Sequence, residues 1–161
     1  MIVPGMIAQM KDDKKRVAAY SHIPISKKKP QITREEQEQK LTAFAKEHGW
    51  EISRFCSDEG KDYSGWDRLI SDCQSGLIDL VICESLSCFR KNAREKIRMI
   101  RELSEIEEPV AFWFEEPGIC TMDETGKLIL TIMECVIEEE SRQRSIRMKE
   151  YYRRKKEVKH E

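Results

Sequence analysis

Ser75-Gly76-Leu77-Ile78-Asp79-Leu80-Val81-Ile82-Cys83 is the stretch on which the fold turns. Ile78 to Cys83 is apolar but for Asp79, with the length and composition of a buried strand, and Gly76 before it is a helix stop. Upstream, Trp66 to Cys73 reads as a short helix ending near Gly76, and Asp58-Glu59-Gly60 as a turn closing an alternating strand from Trp50 to Cys56. Before that strand, Thr33 and Glu36 form a capping box for a helix that carries Leu41, Phe44 and Ala45 at helical spacing and stops at Gly49. The apolar run Arg16-Val17-Ala18-Ala19-Tyr20 reads as the first strand, broken at Pro24 and followed by the polar loop Ser26-Lys27-Lys28-Lys29-Pro30. Downstream, Ala93 to Ile106 is helical with Ile97, Ile100 and Leu103 on one face, and Val110 to Phe114 is a further strand. Strands alternating with helices predict a three-layer α/β domain over residues 16–124, with a mostly parallel sheet of four to five strands. Residues 1–15 read as a flexible leader.

From Thr125 to Glu157 no proline interrupts the chain, and no glycine follows Gly126. A helix of that length, at about 1.5 Å per residue, extends about 50 Å, while a compact chain of this size is about 40 Å across. Such a helix overhangs its own domain. Its first half carries the apolar residues Leu128, Ile129, Ile132, Met133, Val136 and Ile137. Its second half carries Arg142, Arg144, Arg147, Lys149, Arg153, Arg154, Lys155 and Lys156. Residues 125–161 are therefore expected to be an association half followed by a basic, DNA-facing half. The apolar stripe can pack on the sheet, but the overhang favours a second copy of the protein as the remaining partner.

The net charge of -1 conceals this asymmetry: residues 141–161 hold nine Lys or Arg against three Glu, so the other 140 residues are net acidic. A basic end on an acidic body points to nucleic acid or another anionic partner. No apolar run approaches the about 18 residues of a membrane span, and the N-terminus lacks the pattern of a secretory signal, so a cytoplasmic location without membrane contact is expected. The six cysteines (Cys56, Cys73, Cys83, Cys88, Cys120, Cys135) show no CxxC spacing and read as reduced core residues; neither a metal site nor a cofactor is implied.

The ordered motifs resemble the N-terminal catalytic domain of the serine recombinases, the resolvase/invertase family, and in pattern its large integrases. The matching pieces are the strand ending in Tyr20, Asp58-Glu59-Gly60, Ser75 to Val81, Glu84-Ser85-Leu86-Ser87 with Phe89 and Asn92, Leu128 to Met133, and Glu139-Glu140-Ser141-Arg142. Family positions are thus retained at Tyr20, Asp58, Gly60, Ser85, Ser87, Glu140 and Arg142. The resemblance implies a serine that attacks a DNA phosphate to form a phosphoserine ester, with arginines holding the phosphate as charge develops. The ester keeps the energy of the broken bond, so rejoining needs no cofactor.

Departures from the pattern fall on the chemistry. Pro24 stands at the nucleophile's position, His22 and Cys88 at arginine positions, and Lys91 at another, where it keeps charge but loses the planar fork. The loop after Gly60 is shortened and its arginine has no clear counterpart. Loss of a nucleophile costs on the order of 10⁶ in rate, and each lost charge donor about 10²–10³. The expectation is a protein that keeps the fold and the DNA and subunit contacts but is catalytically impaired. It would act as an accessory or regulatory subunit, forming a homodimer or tetramer, or a heteromer with an intact recombinase. Two alternatives stay open. One is an active recombinase whose fallback nucleophile is Ser26, since Ser21 lies on a strand and points away from the site. The other is a module that only pairs with an intact recombinase. Asp58 can also be explained as a turn residue, His22 as structural, Lys27 to Lys29 as a solvated loop, and Trp50, Trp66 and Trp113 as core.

Overall fold

The computed structural model describes residues 16–23, 25, 32–85, 93–116 and 118–158. Nine elements follow in order: β1 (Val17–Ile23), α1 (Arg34–Glu47), β2 (Ile52–Glu59), α2 (Ser64–Gln74), β3 (Leu80–Ser85), α3 (Ala93–Glu105), β4 (Ala111–Glu116), β5 (Ile119–Cys120) and α4 (Glu124–Val158). The five strands form one sheet in the order β2-β1-β3-β4-β5. All neighbours are parallel except β4 and β5, so the expected mostly parallel sheet is present.

Side chains alternate across a strand, so each strand feeds both faces. Val17, Ala19, Leu80, Ile82 and Trp113 pack on one face against Leu41 and Ala45 of α1. Ala18, Tyr20, Val81, Cys83 and Phe112 pack on the other against α2, α3 and Leu130 of α4. Trp66 and Trp113 are buried, and Trp50 packs partly buried beside the second of these, in agreement with their reading as core. The capping box is present: the Glu36 N–H donates to Thr33 Oγ1 at 3.2 Å, and the Thr33 N–H to Glu36 Oε2 at 2.8 Å. Arg16 holds the starts of β1 and β3 together. Its guanidinium donates to both oxygens of Asp79, at 3.0 and 2.8 Å, and these hydrogen bonds keep the Asp79 carboxyl below the usual carboxylate range. Cys73, Cys83 and Cys120 are buried and form no disulfide, and burial pushes the Cys73 thiol up to about 12.

Three boundaries differ from the sequence reading. β1 runs on to Ile23 because its parallel ladder with β2 continues through Ser21↔Ser57, His22↔Asp58 and Ile23↔Glu59. The same ladder keeps Asp58 and Glu59 inside β2, leaving the turn to Gly60 with its φ of 63°. β5, two residues hydrogen-bonded antiparallel to β4, is too short to show as a periodic pattern. The leader, residues 1–15, lies outside the described residues, and among those no helix is long and apolar enough to cross a membrane.

The long helix is 35 residues, so at about 1.5 Å per residue it extends about 52 Å. Its apolar residues divide into two lines. Leu130, Met133 and Ile137 pack on the domain. Leu128, Ile132 and Val136, spaced by four, face outward and are 60%, 53% and 52% exposed. The single apolar stripe of the sequence reading is thus two stripes on different sides of one helix. Arg101 of α3 fastens the inner side, donating to Thr131 Oγ1 at 2.8 Å and pairing with Glu134 at 2.9 Å. From Glu138 to Val158 every residue is exposed.

Candidate functional site

The C-terminal ends of β1 and β2 meet at Asp58, which is 2% exposed. Its Oδ2 accepts from the Tyr20 hydroxyl at 2.9 Å and from the Trp66 N–H at 2.8 Å. Its Oδ1 accepts from the Gly65 N–H at 2.7 Å. Two of these donors are first-turn amides of α2, groups that no helix can satisfy internally, and a carboxylate there also complements the helix dipole. Asp58 therefore ties two strands to a helix start. Asp58 is a strand residue and not the turn residue that the sequence also allowed, because the ladder with β1 carries it inside β2.

His22 shares this end of the sheet. Its Nε2 donates to the Gly60 carbonyl at 3.0 Å, and its ring stacks parallel on Tyr63 with centroids 5.6 Å apart. The imidazole that replaces an expected arginine is thus engaged within the protein. Beneath it lies a cation that the sequence reading missed. Lys96 is 2% exposed, and its Nζ sits 4.7 Å from the Tyr63 ring, 5.0 Å from Trp66 and 5.7 Å from Tyr20. Such cation–π contacts are worth about 2 kcal/mol or more when desolvated. Position 96 adjoins the inward line Ile97, Ile100, Leu103 of α3, which was the available signal. Gln37 was missed in the same way. It is buried on α1, and its Oε1 has no hydrogen-bond partner.

The structure thus brings Tyr20, His22, Asp58 and Gly60 together and sets Ser85 at the end of β3, half-buried and paired in register with Glu116. It does not join Glu140 and Arg142 to them. Both are exposed on α4, where Arg142 pairs with Glu139 at 2.7 Å. That guanidinium and the Gln143 amide hold the Glu139 carboxyl down at about 2. Arg144, Arg147, Lys149, Arg153, Arg154, Lys155 and Lys156 follow it, all exposed; Arg153 lies 3.9 Å from Glu157, and Lys155 lies 6.0 Å from the Tyr151 ring centroid. Pro24, Ser26, the Lys27 to Lys29 run, Ser87, Cys88 and Lys91 lie outside the described residues. Among the described residues, no cluster of His, Cys, Asp or Glu could hold a metal ion.

Two solved structures share this architecture. The N-terminal catalytic domain of TP901-1 integrase superposes with a TM-score of 0.65 at 24% identity, covering 81% of this chain and 99% of that one. A resolvase family site-specific recombinase from Streptococcus pneumoniae gives 0.67 at 23% identity, covering 85% and 95%. No curated protein sequence matches. The family model for the resolvase N-terminal domain matches residues 19–160, nearly the whole described chain, and the protein belongs to that family, the catalytic domain of the serine recombinases.

Proposed function

We propose that this protein binds DNA and self-associates in site-specific recombination, that its own strand-transfer chemistry is impaired, and that it acts as an accessory or regulatory subunit. The observation that carries the reading is the outer part of α4. Glu138 to Val158 is exposed throughout and bears eight of the chain's cations, all of them past Glu138, whose carboxylate pairs with Arg94 of α3 at 3.7 Å. Lys and Arg on such a helix address phosphates, which fixes position on a duplex without reading bases. The impairment rests on the sequence: Pro24 has no hydroxyl to attack with, and the arginine positions hold His22, Cys88 and Lys91.

A labelled duplex titrated at several salt concentrations tests the binding. If about five cations meet phosphates, log K falls against log salt with a slope near -4.5. A flat response removes DNA from the proposal. The same mixture, denatured and run on a gel, should show no protein–DNA adduct. An adduct that disappears on Ser26→Ala would instead establish an active enzyme.

Self-association is supported by Leu128, Ile132 and Val136, which form an exposed apolar line on the domain-proximal half of α4. Ile132→Lys is expected to shift the protein to monomer in sedimentation while leaving its circular dichroism spectrum unchanged, because residue 132 is 53% exposed in the single chain. If the parent protein is already monomeric alone but sediments as a complex with an intact recombinase, this face serves a heteromer.

A further inference from the structure

The sheet has a second charged surface on its outer edge, away from α4. β2 is the edge strand, so one side of its backbone has no neighbouring strand. A groove of about 480 Å³ runs along this edge, and arginines from three elements line it: Arg34 of α1, Arg54 of β2 and Arg68 of α2. Ser57 and Ser64 add hydroxyls.

The charges are not all free. Arg54 is paired with Asp72, also in the groove, so those two largely cancel. Arg34 and Arg68 are exposed and, among the described residues, make neither an ion pair nor a side-chain hydrogen bond. The groove holds one further carboxylate, Asp62, whose Oδ1 accepts the Ser64 N–H at 2.9 Å. The Ser64 N–H and, more weakly, the Arg68 charge hold the Asp62 carboxyl below the usual range. Yet neither Arg34 nor Arg68 closes an ion pair among the described residues, and three arginines against two aspartates leave the groove one positive charge in excess. A carboxylate is planar and satisfies one fork in its own plane. A phosphate presents oxygens in several directions and can be gripped by forks arriving from separate elements.

We infer that this groove is a phosphate-binding site, held by Arg34 and Arg68 and oriented by the Arg54–Asp72 pair. Its ligand is a phosphodiester of bound DNA or a free phosphate compound. The first source is favoured by position, since Ser64 and Gly65 in the groove belong to the same turn that carries Tyr63 beside His22. A duplex crossing the strand ends would reach the groove next. The DNA form of the inference rests on the proposed function; the phosphate site does not.

The test compares the parent chain with the double variant Arg34→Ala/Arg68→Ala. Both positions are exposed, so the fold should be kept, and Arg34→Lys/Arg68→Lys serves as a charge-preserving second variant. Inorganic phosphate is titrated first, with the arginine Nε–H resonances followed by NMR. Those of Arg34 and Arg68 should shift in the parent, and the Lys variant should bind phosphate more weakly because it lacks the forks. Labelled duplex is titrated next across salt. Two lost contacts should make the slope of log K on log salt shallower by about 1.8 in the Ala variant. A phosphate-induced shift without a change in slope assigns the groove to a free phosphate compound. A phosphate-induced shift in a parent that binds no duplex leaves the groove standing while the DNA reading falls. Duplex binding with an unchanged slope and no phosphate-induced shift overturns the groove and leaves the DNA reading intact.

Discussion

Asp58→Ala is expected to destabilise the protein by about 4 kcal/mol, lowering its melting temperature by roughly 12 °C. The substitution removes one carboxylate and strands three donors: the Tyr20 hydroxyl and the N–H groups of Gly65 and Trp66. A buried donor left without its acceptor costs about 1–3 kcal/mol, more where the lost acceptor was charged. The stranded donors lie beside the Tyr20 and Trp66 rings, which meet edge to face at 5.1 Å. Asp58→Asn keeps one oxygen and should lose about half as much. Thermal melts of the two variants decide the matter. If Asp58→Ala melts like the parent, the carboxylate is not the structural tie described here and a chemical role for it regains weight.

The second large effect is expected from Gly126→Ala, and its sign runs against helix propensity. In an ordinary helix interior alanine is better than glycine by about 1 kcal/mol. Here an added Cβ would lie 1.9 Å from the Cys120 carbonyl oxygen and 2.7 Å from its carbon. Both are backbone atoms of β5, which no rotamer change can move. Forcing extra volume into such a contact costs about 1–3 kcal/mol, occasionally more, and the nearest relief is to lift the helix root from the strand. The net expectation is a loss of about 2 kcal/mol, with faster hydrogen exchange at Ile119 to Thr121. Thr125→Ala, one residue earlier and exposed, should leave both measurements unchanged. A stabilised Gly126→Ala would show that the helix is seated differently.

The features that were legible in the sequence are local ones. Thr33 and Glu36 are three residues apart, so their reciprocal capping could be read directly, and the apolar run at Ile78 to Cys83 needed only its composition. The features that escaped are those made by the sheet. The Tyr20–Asp58 bond joins residues 38 apart, and its existence depends on the parallel register of β1 and β2. The groove arginines, at 34, 54 and 68, share no spacing that a motif could capture. The two lines of apolar residues on α4 merged into one because periodicity says which residues are apolar, and not which side of the helix the domain occupies. Resemblance supplied the candidate positions Tyr20, His22, Asp58 and Gly60, which do gather in space, but it could not distinguish a carboxylate that fastens a helix from one that acts on DNA.

The root of α4 rests against β5, and some 32 residues lie between Gly126 and the helix end. At about 1.5 Å per residue this is an arm of about 48 Å, so tilting it by roughly 5° at the root sweeps the tip through about 4 Å. Angstrom-scale displacements of whatever the tip grips thus return to the sheet as fractions of an ångström at a glycine with no spare room.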